Sequence, residues 1–178
     1  MHWQPFLAVP VALASSVASA SVYLSVAQAQ QAIFPGARLA PVNFLLSAQQ
    51  RDEVFARAGV HEPFRENRVW SVEGGGFFIV DEVVGKHEMI TYAVGIGADG
   101  TVRQIEILEY RESYGSEIRD AAWRQQFVGK GAASPLKLNR DIVNITGATL
   151  SSKHVTDGVR RVLAVYDLAL KGLPRAGA

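Results

Sequence analysis

Cysteine is absent from the 178 residues of this sequence. That excludes disulfides, thiolate-held zinc or iron–sulfur centres, c-type haem attachment, a cysteine nucleophile and a lipoprotein lipobox. A large net charge is also missing, with 18 Lys plus Arg against 17 Asp plus Glu. Such a balance argues against a strongly basic nucleic-acid binder, and no nucleic-acid partner is expected. Charge of either sign is missing altogether from residues 1–37, and Arg38 is the first charged residue. What is present in quantity is apolar side chain, 48% of residues, enough for one domain to bury a core.

The uncharged N-terminus reads as an export segment. From Pro5 to Val26 it runs PFLAVPVALASSVASASVYLSV, near the length that spans a bilayer. Two small-x-small sites follow one another, Ala18-Ser19-Ala20 and Ala27-Gln28-Ala29, and both suit signal peptidase. Residues 1–29 are therefore expected to be a signal peptide or an N-terminal membrane anchor, with a mature end near Gln30 if cleaved. The expected destination is the periplasm, with the domain either free there or anchored to the inner membrane.

The remainder divides into a lead-in helix and strand (30–75) and a main domain (76–172). SAQQRDEVFARA (47–58) predicts a helix capped by Ser47 and stopped by Gly59. Val69–Val72 and Phe77–Val84 are strand-like, separated by Gly74-Gly75-Gly76. Met89–Ile96 and Val102–Leu108 predict a hairpin turning at Gly97-Ala98-Asp99-Gly100, its second arm alternating as for a sheet with one covered face. A short helix is expected over Asp120–Phe127. A long one over residues 150–170 has Val155, Val159, Val162, Leu163 and Tyr166 at the 3.6-residue period. The expected fold is α+β, an antiparallel sheet with a long C-terminal helix packed on it.

The segment richest in chemistry is Asn144-Ile145-Thr146-Gly147-Ala148-Thr149-Leu150-Ser151-Ser152. It is a hydroxyl-rich turn feeding the long helix, where free N–H groups and the positive end of the dipole favour an anion such as phosphate. The competing reading is that Thr149 or Ser151 merely caps the helix. His61, His87 and His154 lack the spacing of a metal site, and no metal is expected. Glu109 and Glu112 suggest a hydrolase's acid pair, the main alternative to a binding domain together with a structural envelope protein.

ITGATLSSKHV (145–155) resembles the signature of the FMN-binding domain family, which includes the G subunit of the Rnf electron-transport complex and the C subunit of the sodium-translocating NADH:quinone reductase. YRESYG (110–115), WRQQFVGK (123–130) and IFPGA (33–37) resemble further family segments in the same order. The resemblance implies FMN as cofactor, joined through its phosphate to Thr149 by a separate flavin transferase that uses FAD. It implies contacts from Thr146, Gly147, Ala148, Leu150, Ser151, Glu112, Ser113, Tyr114, Gly115 and Lys130. Within it, Glu112 is expected to order its loop by accepting backbone N–H groups. No catalytic residue is implied. The protein would be an electron-transfer subunit rather than a complete enzyme, relaying electrons to or from a membrane or periplasmic redox partner. A module that holds FMN without a covalent bond, or a degenerate one, is the alternative within the family. Many members carry Asp at the place of Val143, where Asn144 offers the next polar group.

Overall fold

The computed structural model describes residues 21–173. The apolar run up to Ala20 lies outside those residues. Among the described residues six strands form one antiparallel sheet: β1 (Ser21–Val22), β2 (Leu39–Pro41), β3 (Val69–Val72), β4 (Phe77–Val84), β5 (Met89–Ile96) and β6 (Val102–Tyr110), in the order β1-β6-β5-β4-β3-β2. The turn chemistry acts as expected. In the β5–β6 link the Asp99 carboxylate accepts from the N–H of Thr101 at 3.0 Å and from its hydroxyl at 2.9 Å, and Gly100 has φ +80. Between β3 and β4, Gly74, Gly75 and Gly76 all take positive φ.

The α+β architecture is as expected, but the sheet is covered on both faces rather than one. On one face the helix α4 (Thr149–Val165) buries Val155, Val159 and Val162 completely against Ile79, Tyr92, Val94 and Ile105. Each such side chain contributes roughly 1.5–3 kcal/mol. The helix α2 (Ala48–Ala58) packs beside it, opened by a reciprocal capping box between Ser47 and Gln50 and closed by Gly59 at φ +67. Tyr166–Leu170 continues α4 as a wider turn, with Tyr166 edge-on to Phe77 at 5.9 Å between centroids.

A buried polar clamp fixes α4 over the sheet. Arg161 on the helix meets Asp81 on β4 through Nε at 3.0 Å and Nη2 at 2.9 Å, and the Tyr92 hydroxyl donates to the same carboxylate at 2.6 Å. Nη2 also donates to the carbonyl of Glu82 at 2.6 Å, and Nη1 to that of Glu62 at 2.5 Å. The pair is fully hydrogen-bonded, as a charge removed from water requires. Gly158 makes the approach possible, because a Cβ there would collide with the Tyr92 hydroxyl.

The opposite face is covered by a helix the sequence pattern did not announce, α1 (Val26–Ile33). Its Ala29 and Ile33 are buried with Phe34 against Phe78, Val80, Ala93 and Leu108. Ser25 and Gln28 form a second capping box. β1 pairs Ser21 with Tyr110 and Val22 with Glu109, and Arg119 stacks over the Tyr23 ring at 3.4 Å. The division expected after residue 29 therefore falls inside α1, a packed element of the fold. The single helix expected over Asp120–Phe127 is two short pieces instead, α3 (Ala121–Arg124) and a 3₁₀ turn at Gln125–Phe127, preceded by another 3₁₀ turn at Ser116–Arg119. Among the described residues no helix is long and apolar enough to cross a membrane.

Candidate functional site

Three segments distant in sequence meet at one end of the sheet around a cleft of about 470 Å³. They are Lys86 and His87 from the β4–β5 turn, Glu112–Tyr114 following β6, and Gly147–Ser151 at the start of α4. A larger open hollow, about 780 Å³, is lined by Val42, Phe44, Leu45, Phe64, Arg65 and Glu66. Asn43 and Asn67 also line it, but its charged groups are already paired, Arg65 with Glu82 and Glu66 with Arg51, so the smaller cleft is the candidate site.

The start of α4 differs from the other two long helices. Both α1 and α2 have capping boxes, whereas no side chain caps α4. The reading of Thr149 or Ser151 as a mere cap is thereby corrected: both hydroxyls are engaged elsewhere. Ser151 is 4% exposed, and its Oγ lies 3.0 Å from the Tyr110 hydroxyl. Thr149 Oγ1 accepts from Nδ2 of Asn144 at 3.0 Å. The first-turn N–H groups of Thr149, Leu150 and Ser151 consequently open to the cleft, as does the positive end of the helix dipole. Gly147 takes φ +85 and has nothing within 4 Å of where a Cβ would lie. Its requirement for glycine is conformational and not steric.

The loop after β6 is held from beneath. Tyr110 donates its hydroxyl proton to the carbonyl of Tyr114. Gly115, at φ +94, allows this close contact: a Cβ there would lie 2.6 Å from the Tyr110 hydroxyl and 2.7 Å from Ala148 Cβ. Burial pushes the Tyr110 phenol above its ordinary value. Glu112 reaches across to the β4–β5 turn, where its Oε1 accepts from the N–H groups of Lys86, His87 (2.5 Å) and Glu88 (3.0 Å). Burial raises the Glu112 carboxyl, but these three bonds outweigh it and hold the group below the ordinary glutamate value. An oxygen so occupied cannot serve as half of an acid pair with Glu109, which binds Arg111 at 2.6 Å. His154 braces the same turn by donating from Nδ1 to the carbonyl of Val84 at 2.6 Å.

Most of the residues expected at the site converge there, and three do not line it. Lys130 is bound to Asp141 at 3.3 Å. Thr146 lies on the exposed approach to Gly147, and Gly115 is buried under the cleft. Lys130 belongs to the scaffold carried by residues 123–130. Trp123 Nε1 donates to the Val143 carbonyl at 2.9 Å, and Gln126 Oε1 accepts from the Val143 N–H at 2.7 Å. This grip fixes the backbone leading into the Asn144–Thr149 turn and leaves the Val143 side chain 67% exposed. Lys86 and His87 were missed as site residues. Their signal was a polar GKHE turn between two strand patterns, which says nothing of the loop it faces.

The cleft suits a phosphorylated, ring-bearing ligand. Backbone donors and hydroxyls lie at the helix end. Lys86 and His87 supply cationic or polar groups, while Tyr114, 84% exposed, and Leu150, 44% exposed, offer apolar surface. Residues 85–164 match the family model of the FMN-binding domain. Over 81 residues the chain is 36% identical to the G subunit of the Na(+)-translocating ferredoxin:NAD(+) oxidoreductase complex of Acetobacterium woodii. That similarity covers 40% of this chain and 39% of the relative, so the chain spans about two fifths of the relative's length. Residues 85–164 thus resemble an FMN-binding domain, and every residue lining the cleft lies within that stretch.

Proposed function

We propose that this chain is an exported flavoprotein that carries FMN on Thr149 through a phosphoester and exchanges electrons with a membrane or periplasmic redox partner. The observation that carries the reading is the place of the Thr149 hydroxyl: beside the cleft, at the uncapped start of α4, within the stretch that matches the FMN-binding domain. When bound, FMN supplies one- and two-electron redox chemistry. The protein's own groups bind and orient. Gly147–Ser151 would hold the phosphate, and Glu112–Tyr114 with Leu150 would hold the ring. Lys86 and His87 would set the local charge. Attachment at one side chain keeps the cofactor at high effective concentration in a compartment where it is scarce.

A flavin transferase would install the group. Export would proceed through an N-terminal signal or anchor lying before Ser21. Of the two small-x-small sites, Ala18-Ser19-Ala20 leaves β1 and α1 whole, whereas cleavage after Ala29 would discard the α1 cap and half the helix. The test is co-production with a flavin transferase in a bacterial periplasm, followed by intact mass, in-gel flavin fluorescence after denaturation and peptide mapping. A mass increase of one FMN less one water on the peptide containing residue 149, lost in Thr149→Val, is expected. Wild-type protein without covalent flavin, or label persisting in Thr149→Val, would overturn the assignment.

A further inference from the structure

Asn144 lies outside the wall of the cleft but touches the hydroxyl that faces it. Its Nδ2 donates to Thr149 Oγ1 at 3.0 Å, and its Oδ1 accepts from the Ser152 hydroxyl at 2.9 Å. Ser152 is completely buried, and its Oγ also lies 2.8 Å from the Ala148 carbonyl. The backbone just before Asn144 is gripped by Trp123 and Gln126 through Val143. Just after it, the N–H of Ala148 closes a turn on the carbonyl of Ile145 at 3.0 Å. Asn144 is therefore fixed from both sides and presents one N–H to one acceptor.

A threonine near a helix start has competing acceptors for its hydroxyl, and its side chain divides between rotamers accordingly. The contact from Asn144 removes that freedom. It occupies one lone pair of Oγ1, and among the described residues no other side chain engages this hydroxyl.

We infer that Asn144 is a positioning residue for covalent flavin attachment: it orients the Thr149 hydroxyl and stabilises the charge that develops on Oγ1. The inference rests on the assignment of Thr149 as the attachment point. In that step the bond formed joins Oγ1 to the flavin-side phosphorus of a flavin adenine dinucleotide. The bond broken is from that phosphorus to the pyrophosphate bridge, and AMP departs with the bridging oxygen. The hydroxyl proton passes to a base on the transferase, and no oxidation state changes. Negative charge accumulates on Oγ1 as the proton leaves, and a fixed N–H 3.0 Å away is worth more to that oxygen than to the neutral hydroxyl.

The test measures initial rates of flavin incorporation into purified full-length wild type, Asn144→Ala, Asn144→Asp and Thr149→Val, with one transferase and FAD as donor. Thermal melts are run on each protein before labelling. Asn144→Ala removes the donor. Asn144→Asp keeps an acceptor for Ser152 but offers Oγ1 a carboxylate instead of an N–H. Both are expected to lose about tenfold or more in rate with label still mapping to residue 149, the loss appropriate to one hydrogen bond to a charged group. Asn144→Asp labelling at the wild-type rate would overturn the donor role even if Asn144→Ala is impaired by poor folding. Wild-type rates in both variants would overturn the inference while leaving Thr149 as the attachment point. Absence of label in wild type would instead overturn the attachment reading.

Discussion

Gly95 on β5 lies directly under Ile33 of α1: a Cβ at residue 95 would collide with Cγ2 of Ile33 and come within 3.0 Å of the Phe34 ring. A glycine inside a strand usually marks such a close approach. Gly95→Ala is expected to destabilise by about 1–3 kcal/mol through overpacking. In an Ile33→Ala background the added cost of the same change should shrink, a coupling that a double-mutant cycle by urea unfolding would register. Full additivity of the two substitutions would show that α1 is not seated against β5.

The Arg161–Asp81 pair should be costly to break from one side. Asp81→Asn leaves a buried guanidinium without its counter-charge and should cost on the order of 3–5 kcal/mol. Replacing Asp81 and Arg161 together with Leu should cost far less than the two single losses combined. Denaturant midpoints of the three variants decide this.

Glu112 links stability to pH. Its carboxyl is held below the ordinary glutamate value of 4.5 by the backbone N–H groups that outweigh burial. A depressed folded value means that the stabilisation is complete above the unfolded value and is lost as pH falls through the folded one. The stability gap between wild type and Glu112→Gln should be constant near neutrality and close progressively below about pH 4.5. Asp141 and Asp167 are also held low, but they titrate in both proteins and cancel from the difference. Amide exchange at Lys86–Glu88 should accelerate over the same range in wild type only.

Gly147 provides a test of strain against crowding. Its φ of +85 penalises any side chain, yet open space surrounds it. Gly147→Ala should cost about 1–2 kcal/mol, and Gly147→Asn less, because Asn tolerates the left-handed region. Equal unfolding midpoints for the two variants would speak for crowding instead.

Much of this was legible in the chain, for identifiable reasons. Ser47 and Gly59 bracket α2 because caps are local chemistry, and the valines of α4 share a face because one helix repeats itself. The β5–β6 turn was readable from Asp99-Gly100. The G-A-T segment pointed to the cleft because a helix start is a local anion site. What could not be read depends on partners across space. α1 lies in an uncharged stretch whose composition equally suits an export signal, and only Gly95, some 60 residues later, records its docking. Lys130 lies beside the site's residues in the expected motif, but Asp141 holds it elsewhere. Lys86 and His87 enter the site only because Glu112 ties their turn to the far loop. The buried Arg161 was hidden in an Arg-Arg pair on a helix that reads as amphipathic.

The pairing of Ser21 with Tyr110 also gives the molecule a polarity. Tyr110 is the last residue of β6, and its hydroxyl lies beside Ser151 beneath the cleft. The described residues therefore begin at the pole where the cleft opens, and Arg119 over Tyr23 secures that end. If the proposed anchor ahead of Ser21 is held in a bilayer, this placement would keep the cleft close to the lipid surface. Redox traffic would then be confined to a thin layer next to the membrane, where a partner meets the domain by lateral diffusion in two dimensions. Release of the domain would leave its binding groups unchanged and dilute it into three.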